Sequence, residues 1–205
     1  MTGPGVRVVK LGGRLLESRG LGDRLQAWKQ RQPPARNCLI VGGGRLADAV
    51  REWDAVHELG AEAAHELAVR AMTLNARLML RLLADAVLTD APCDFETWGA
   101  PDGWTILDPS RFVLGEDETD SAPRLPASWE VTSDSIAAFV AGQLGGAELV
   151  LLKSALPTLN STRAEASAAG YVDAYFPTAA ANVARVRCVD LSDDGFPEVR
   201  LQWDC

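Results

Sequence analysis

Two glycine runs, each directly after an apolar β-like stretch, constrain this chain more than any other feature: VRVVKLGG over residues 6–13 and CLIVGGG over residues 38–44. A continuous β-branched run marks a strand buried on both faces, as in a parallel sheet. Glycine at its carboxyl end lets the backbone approach a ligand with its N–H groups unobstructed. Either run alone suits an ordinary strand-to-helix turn. Together with Lys10, a cation beside the first exit, the two runs point to a phosphate site.

The spacing around them predicts a βαβ unit. Leucines and a tryptophan recur at helical spacing from Leu15 to Gln30, and Pro33 and Pro34 close that helix before the strand at Cys38. A second helix is expected after Gly44, with Leu46, Ala49, Val50 and Trp53 on one face, ending near Leu59 and Gly60. A third, rich in alanine and leucine, is expected from Glu62 to Leu83. Right-handed crossovers would build a parallel sheet covered on both faces. From Asp85 to Trp129 the texture turns to loops, with short apolar stretches at Ala86–Thr89 and TILD and an acidic run, GEDETDSAP. Trp98 and Trp104 lie among these loop signals, where they could plug the core or cover a ligand. Downstream, Thr132, Ser133 and Asp134 are favourable cap types for a helix carrying Ile136, Phe139, Val140 and Leu144, which Gly145 and Gly146 end. Strands are expected at Leu149–Leu152, Val186–Leu191 and, as an edge hairpin, Val199–Trp203. The chain, residues 1–205, reads as one domain.

Composition narrows the partners. A net charge of -8 with scattered lysines and arginines gives nucleic acid no electrostatic footprint, and 47% hydrophobic residues in strand-sized runs give no membrane span. A small molecule is the expected partner. Cys38, Cys93, Cys188 and Cys205 form no CxxC pair, so a zinc site is not expected, and no metal ligand is assigned. The amino terminus has no apolar signal core, which makes the cytoplasm the expected compartment.

Phosphoryl transfer asks a protein mainly for cations and N–H dipoles around the charge that develops between two oxygens. Lys153 follows a strand, as Lys10 nearly does, and in open parallel sheets ligands lie beyond the carboxyl ends of the strands. Both lysines can therefore reach one crevice. A carboxylate that fixes them, or holds a magnesium ion, is the complement; Asp134 at a helix start is the candidate, with a plain N-cap as its alternative. Other chemistries lack their motifs: there is no GxxxxGK[ST], no GxGxxG spacing at Val41–Arg45 and no GxSxG, and His57 and His65 share no helix face.

In motif order, these residues resemble the amino acid kinase superfamily. VVKLGG resembles its opening K-x-G-G, LIVGGG its acceptor-binding glycine run, and TSDSIAAFVAGQLGGAELVLLKSALP its N-x-D-x-x-A helix and the strand leading to the nucleotide. The resemblance implies an α/β fold, a three-layer αβα sandwich around an open, mainly parallel sheet, with the acceptor in the N-terminal half and ATP with Mg2+ over the C-terminal half. It implies that Lys10 stabilises the transferring group and that Asp134 organises Lys10 and Lys153. Gly12, Gly13, Gly42, Gly43 and Gly44 would line the acceptor path, while Lys153 and Ser154 would touch the nucleotide. It also implies a homo-oligomer. GGGRLADAVREWD, HELAVRAMTLNARLML, LLKS and GYVDAYFP look most like the short branch of aminomethylfuran phosphate kinases, which would make the acceptor a phosphate and the product a diphosphate.

Three positions depart from the superfamily pattern. Arg14 stands where a serine commonly follows the first glycine pair, Thr132 where N-x-D has asparagine, and Lys153 where acylphosphate-forming members usually have Thr-Asp. The late glycine-rich loop with a second lysine is not recognisable around residues 160–170. These changes weaken a carboxylate-kinase reading and leave an ATP-dependent kinase acting on a small anionic acceptor as the leading one, with Arg14 gripping a phosphate or simply exposed at a helix start. The alternatives are an acylphosphate-forming kinase of the glutamate kinase kind and, as the altered Arg14 and Thr132 positions allow, a non-catalytic anion- or nucleotide-binding module on the same fold.

Overall fold

A computed structural model of the chain describes residues 5–95, 98–100, 102–115 and 124–204. The acidic run after Gly115, and Cys205, lie outside the described residues. In chain order the elements are β1 (Gly5–Leu11), a 3-10 turn (Gly13–Glu17), α1 (Leu21–Gln30), β2 (Ala35–Val41), α2 (Gly44–His57), α3 (Ala61–Leu82), β3 (Ala86–Thr89), β4 (Trp104–Leu107), α4 (Ser110–Leu114), α5 (Ser133–Gln143), β5 (Glu148–Lys153), α6 (Arg163–Ala168), α7 (Phe176–Ala179), β6 (Arg185–Asp190) and β7 (Glu198–Leu201).

The strands form a seven-stranded sheet in the order β3-β4-β2-β1-β5-β6-β7. All neighbours are parallel except the β6–β7 edge pair. Alternation along each central strand feeds two cores. Val8, Ile40, Leu149 and Leu151 pack with α5, α6 and α7, while Val9, Leu11, Leu39, Val150 and Leu152 pack with α1 and the carboxyl-terminal half of α3. The expected three-layer αβα sandwich is therefore the fold. No helix among the described residues is long and apolar enough to cross a membrane.

Several local expectations change. The helix expected over Leu15–Gln30 is broken: Ser18 is extended and Gly20 sits at φ 68°, a left-handed conformation that suits glycine, so the helix proper begins at Leu21. Of the expected apolar face of α2 only Val50 is buried, whereas Leu46 and Trp53 are 39% and 53% exposed. The loop-like stretch from Asp85 to Trp129 carries β3 and β4, and β4 lies between β3 and β2 inside the sheet. Trp104 is fully buried and stacks on Trp28 at 6.4 Å, and Trp98 is also buried. Both are core residues and not covers for a ligand.

Candidate active site

The site forms where β1, β2 and β5 end. Lys10 aligns with Leu151 across the β1–β5 pair, and Lys153 is the last residue of β5. Lys10 follows Val8, and Lys153 follows Leu149 and Leu151, at spacings of two, so both lysines leave the sheet on the face that α5 covers. Asp134, in the first turn of α5, meets them there. Its Oδ2 accepts a 2.8 Å hydrogen bond from Lys153 Nζ, and its Oδ1 lies 2.8 Å from Lys10 Nζ in an ion pair that lacks aligned hydrogen-bond geometry. Asp134 therefore uses both oxygens on lysines and caps nothing.

Burial pushes the Asp134 carboxyl upward, but the two ammonium groups outweigh it and hold the group below the ordinary carboxylate range. For Lys153, burial and the neighbouring Lys10 pull the ammonium below its ordinary value, with Asp134 opposing them. Lys153 also donates to the Tyr171 carbonyl and sits 4.5 Å from the centre of that ring. The cluster carries one net positive charge in a half-enclosed place, which suits a charge-rich phosphoryl group.

Two cavities share part of their lining here. One, of about 300 Å³, is lined by Lys10, Gly12, Lys153, Ser154 and Tyr171; the other, of about 270 Å³, by Gly42, Gly43, Gly44, Arg51, Met72 and Trp129. Gly13 and Arg14 line both. Thus every residue singled out in the sequence except Asp134 lines a cavity, and Asp134 ties the two lysines together.

The glycines serve a purpose the sequence did not reveal. A Cβ on Gly13 would come within 2.3 Å of the Gly44 backbone nitrogen, so the two turns can touch only because both lack side chains. Gly44 also sits at φ 52°. The expectation of free main-chain amides needs correction for two positions: Gly12 N–H donates to the Leu152 carbonyl at 2.8 Å and Gly42 N–H to the Leu11 carbonyl at 2.9 Å.

Sequence reasoning missed the residues that hold the walls. Asn75 on α3 donates to the carbonyls of Gly42 and Gly43 at 2.8 and 2.9 Å, pinning the second glycine turn. Trp129 forms a wall of the smaller cavity; its indole N–H donates to Asp54 at 2.8 Å and its ring lies 4.7 Å from the Arg51 guanidinium. His65, set aside in the sequence, also lines that cavity, and burial lowers its pKa against a hydrogen bond to the Ser128 backbone.

A parallel αβα sandwich with two lysines and one carboxylate gathered beyond its strand ends defines a class of phosphate-handling α/β proteins. The chain belongs to the amino acid kinase family, which it matches over residues 5–155. It is 25% identical over 150 residues to [5-(aminomethyl)furan-3-yl]methyl phosphate kinase of Methanocaldococcus jannaschii, a match that spans 71% of this chain and 64% of that relative. In fold it is similar to the uridylate kinase of Archaeoglobus fulgidus, with a TM-score of 0.63 at 13% identity over 97% of this chain and 92% of the other. It is likewise similar to the UMP kinase of Bacillus anthracis, with a TM-score of 0.56 at 11% identity over 94% and 90% of the two chains.

Proposed function

We propose that this chain is an ATP-dependent kinase that passes the γ-phosphoryl group to a small anionic acceptor, with a phosphomonoester favoured. One observation carries the reading: Lys10 and Lys153 are clamped on Asp134 beside Gly13 and Arg14, the two residues that line both cavities. ATP would enter over the C-terminal half with its γ-phosphate at the lysines and Ser154. The acceptor would lie in the smaller cavity, toward the N-terminal half, with Arg14 at the junction. Both halves then work as one domain.

In the reaction an acceptor oxygen attacks the γ-phosphorus and the bond to the β,γ-bridging oxygen breaks, leaving ADP and, for a phosphomonoester, a diphosphate. Lys10 and Lys153 offset the negative charge on the oxygens in flight. The positive charge gathered at the lysines favours an anionic acceptor. Among the described residues no carboxylate or histidine lines the cavity that holds the lysines, and Asp134 is occupied and kept ionised; Asp48 and His65 line the smaller cavity. A hydroxyl acceptor would need a base to take its proton, whereas a phosphate or carboxylate oxygen is already ionised. Ala47, Ala68, Val69, Met72 and Trp129 give the smaller cavity an apolar wall, which suits a compact body behind the anion.

Magnesium fits this site as a companion of the nucleotide. Among the described residues no group of three or more His, Cys, Asp or Glu could hold a metal, so the ion would be held chiefly by the ATP phosphates, whose charge it would help to neutralise. Self-association is also proposed. Leu67, Leu74, Leu78 and Leu82 make an exposed stripe along α3. At roughly 180 Å² per side chain they offer about 330 Å² of apolar surface, a fitting centre for an interface between two copies that needs about 800 Å² a side.

The test is ADP release from ATP and Mg2+ over a panel of aminomethylfuran phosphate, UMP, isopentenyl phosphate and glutamate, with a hydroxamate trap to reveal any acylphosphate. Stimulation by a phosphomonoester with no trapped acyl group is expected. Hydroxamate formed with glutamate would replace this reading by the carboxylate kinase. Nucleotide binding without turnover on any acceptor would leave a binding module.

A further inference from the structure

The segment GYVDAYFP returns to the site in a way its sequence does not explain. Thr132 is the N-cap position of α5, but its side chain does not cap the helix. Instead one carboxylate from a distant loop does so. Asp173 Oδ2 accepts from Thr132 N–H at 3.0 Å, from Thr132 Oγ1 at 2.7 Å and from Ser135 N–H at 3.0 Å, and Asp173 Oδ1 accepts from Ser135 Oγ. The four donors come from Thr132 and Ser135, two residues before Asp134 and one after it.

The same loop touches the other half of the clamp. Tyr171, two residues before Asp173, offers its carbonyl and ring to Lys153. The loop is itself well anchored: Val172 and Phe176 are buried, Tyr171 N–H donates to the Ala166 carbonyl at 2.9 Å, and Ser167 Oγ donates to the Asp173 carbonyl at 3.1 Å. Asp173 lines neither cavity and its side chain bonds to neither lysine. Any effect on chemistry must pass through its neighbours.

A helix start presents several amide donors without partners and a partial positive charge, both of which attract a carboxylate. Asp134 stands in that first turn and would be the nearest acceptor. We propose that Asp173 is a positioning residue: by satisfying the start of α5 from outside, it leaves both oxygens of Asp134 free to hold Lys10 and Lys153. The inference rests on the kinase reading only for its turnover measurement.

The test is a two-background comparison. Asp173→Ala, with folding verified by circular dichroism at the assay temperature, is expected to lower kcat by about 10²-fold with the ATP KM changed less than about 3-fold. In an Asp134→Asn background the same change is expected to cost less than about 2-fold, because the residue it acts through is already gone. Asp173→Asn, which keeps one acceptor oxygen, should recover part of kcat, and it takes the place of the alanine variant if that one does not fold. An equal loss in both backgrounds, or wild-type kcat in Asp173→Ala, overturns the proposal. A readout independent of turnover is the NMR titration of the Lys153 Cε resonance. Its midpoint should fall in Asp173→Ala as Asp134 lets go, and stay put when Asp173→Ala is added to Asp134→Asn. An unmoved midpoint in the single variant overturns the positioning role even if no acceptor is ever found. A moved midpoint without phosphotransfer in the wild type upholds it and removes the kinase reading alone.

Discussion

Replacing Asp134 by asparagine keeps the shape of the clamp and removes its negative charge, which leaves two ammonium groups facing each other across a neutral amide. The side chains of Asp134 and Lys10 are 7% and 6% exposed, and that of Lys153 is 17% exposed, so water can relieve the repulsion only partly. Removing one partner of a buried ion pair typically costs about 3–5 kcal/mol. In a chain of this length that corresponds to a fall in Tm on the order of 10 °C at pH 7. The pH dependence identifies the cause. The folded-state pKa of Asp134 lies below its ordinary 3.8, so its contribution is complete above about that pH and is lost as the pH falls through the folded value.

At the alkaline end the sign reverses. Lys153 titrates below its ordinary 10.5 in the folded wild type, and without Asp134 it should titrate lower still. As the pH rises toward 10.5 that ammonium loses its proton and the repulsion disappears. The stability gap between wild type and Asp134→Asn is therefore widest near neutrality and closes in both directions. Urea unfolding at pH 3, 7 and 9.5 measures it. Phosphate in excess at pH 7 should narrow it too, by binding between the lysines of the folded variant. A gap that ignores both pH and phosphate would mean that Asp134 matters for packing and not as the counter-charge of the lysines.

Arg14→Ala should raise the acceptor KM about tenfold while leaving the ATP KM nearly unchanged, since Arg14 lies at the junction of the two cavities and its side chain makes no ion pair among the described residues; steady-state kinetics with each substrate varied will separate the two. Gly13→Ala should destabilise by about 1–3 kcal/mol or more and widen the contact between the glycine turns, because its Cβ would lie 2.3 Å from the Gly44 nitrogen; chemical unfolding measures the cost. Asn75→Leu should lose about 1–3 kcal/mol, since the Gly42 and Gly43 carbonyls lose the amide that pins them, and hydrogen exchange at Gly43 and Gly44 should speed up.

How much of this was legible in the sequence depends on whether a feature is local. The strands announced themselves because β1, β2 and β5 are buried on both faces and read as apolar runs, and in a parallel sheet two lysines near strand carboxyl ends lie at the same end of the sheet. Even so, the place of β4 between β3 and β2 was invisible, since strand order is decided by which edges pair. The glycine runs were noticed for the wrong share of their reasons. Gly13 and Gly44 must lack side chains to touch each other, and that contact joins residues 31 positions apart. Asn75 and Trp129 escaped notice because an asparagine within a helix and a tryptophan in a loop have no pattern until the element they meet is known.

Thr132 is the instructive case. Against the family's N-x-D pattern the threonine reads as a loss, which is what allows a module without activity. The structure gives it a different meaning. Its hydroxyl and its N–H both donate to Asp173 Oδ2, so the threonine and the aspartate of GYVDAYFP work as a pair. A departure at one position has its partner 41 residues away, and neither is interpretable without the other. The prediction that follows is specific. Thr132→Val removes the hydroxyl donor and keeps the size, so it should lower kcat in the same direction as Asp173→Ala but by less, because the amide donors of Thr132 and Ser135 remain. Steady-state kinetics of the single and double variants decides it: losses that multiply as if independent would show that the threonine acts on the site by some route other than Asp173.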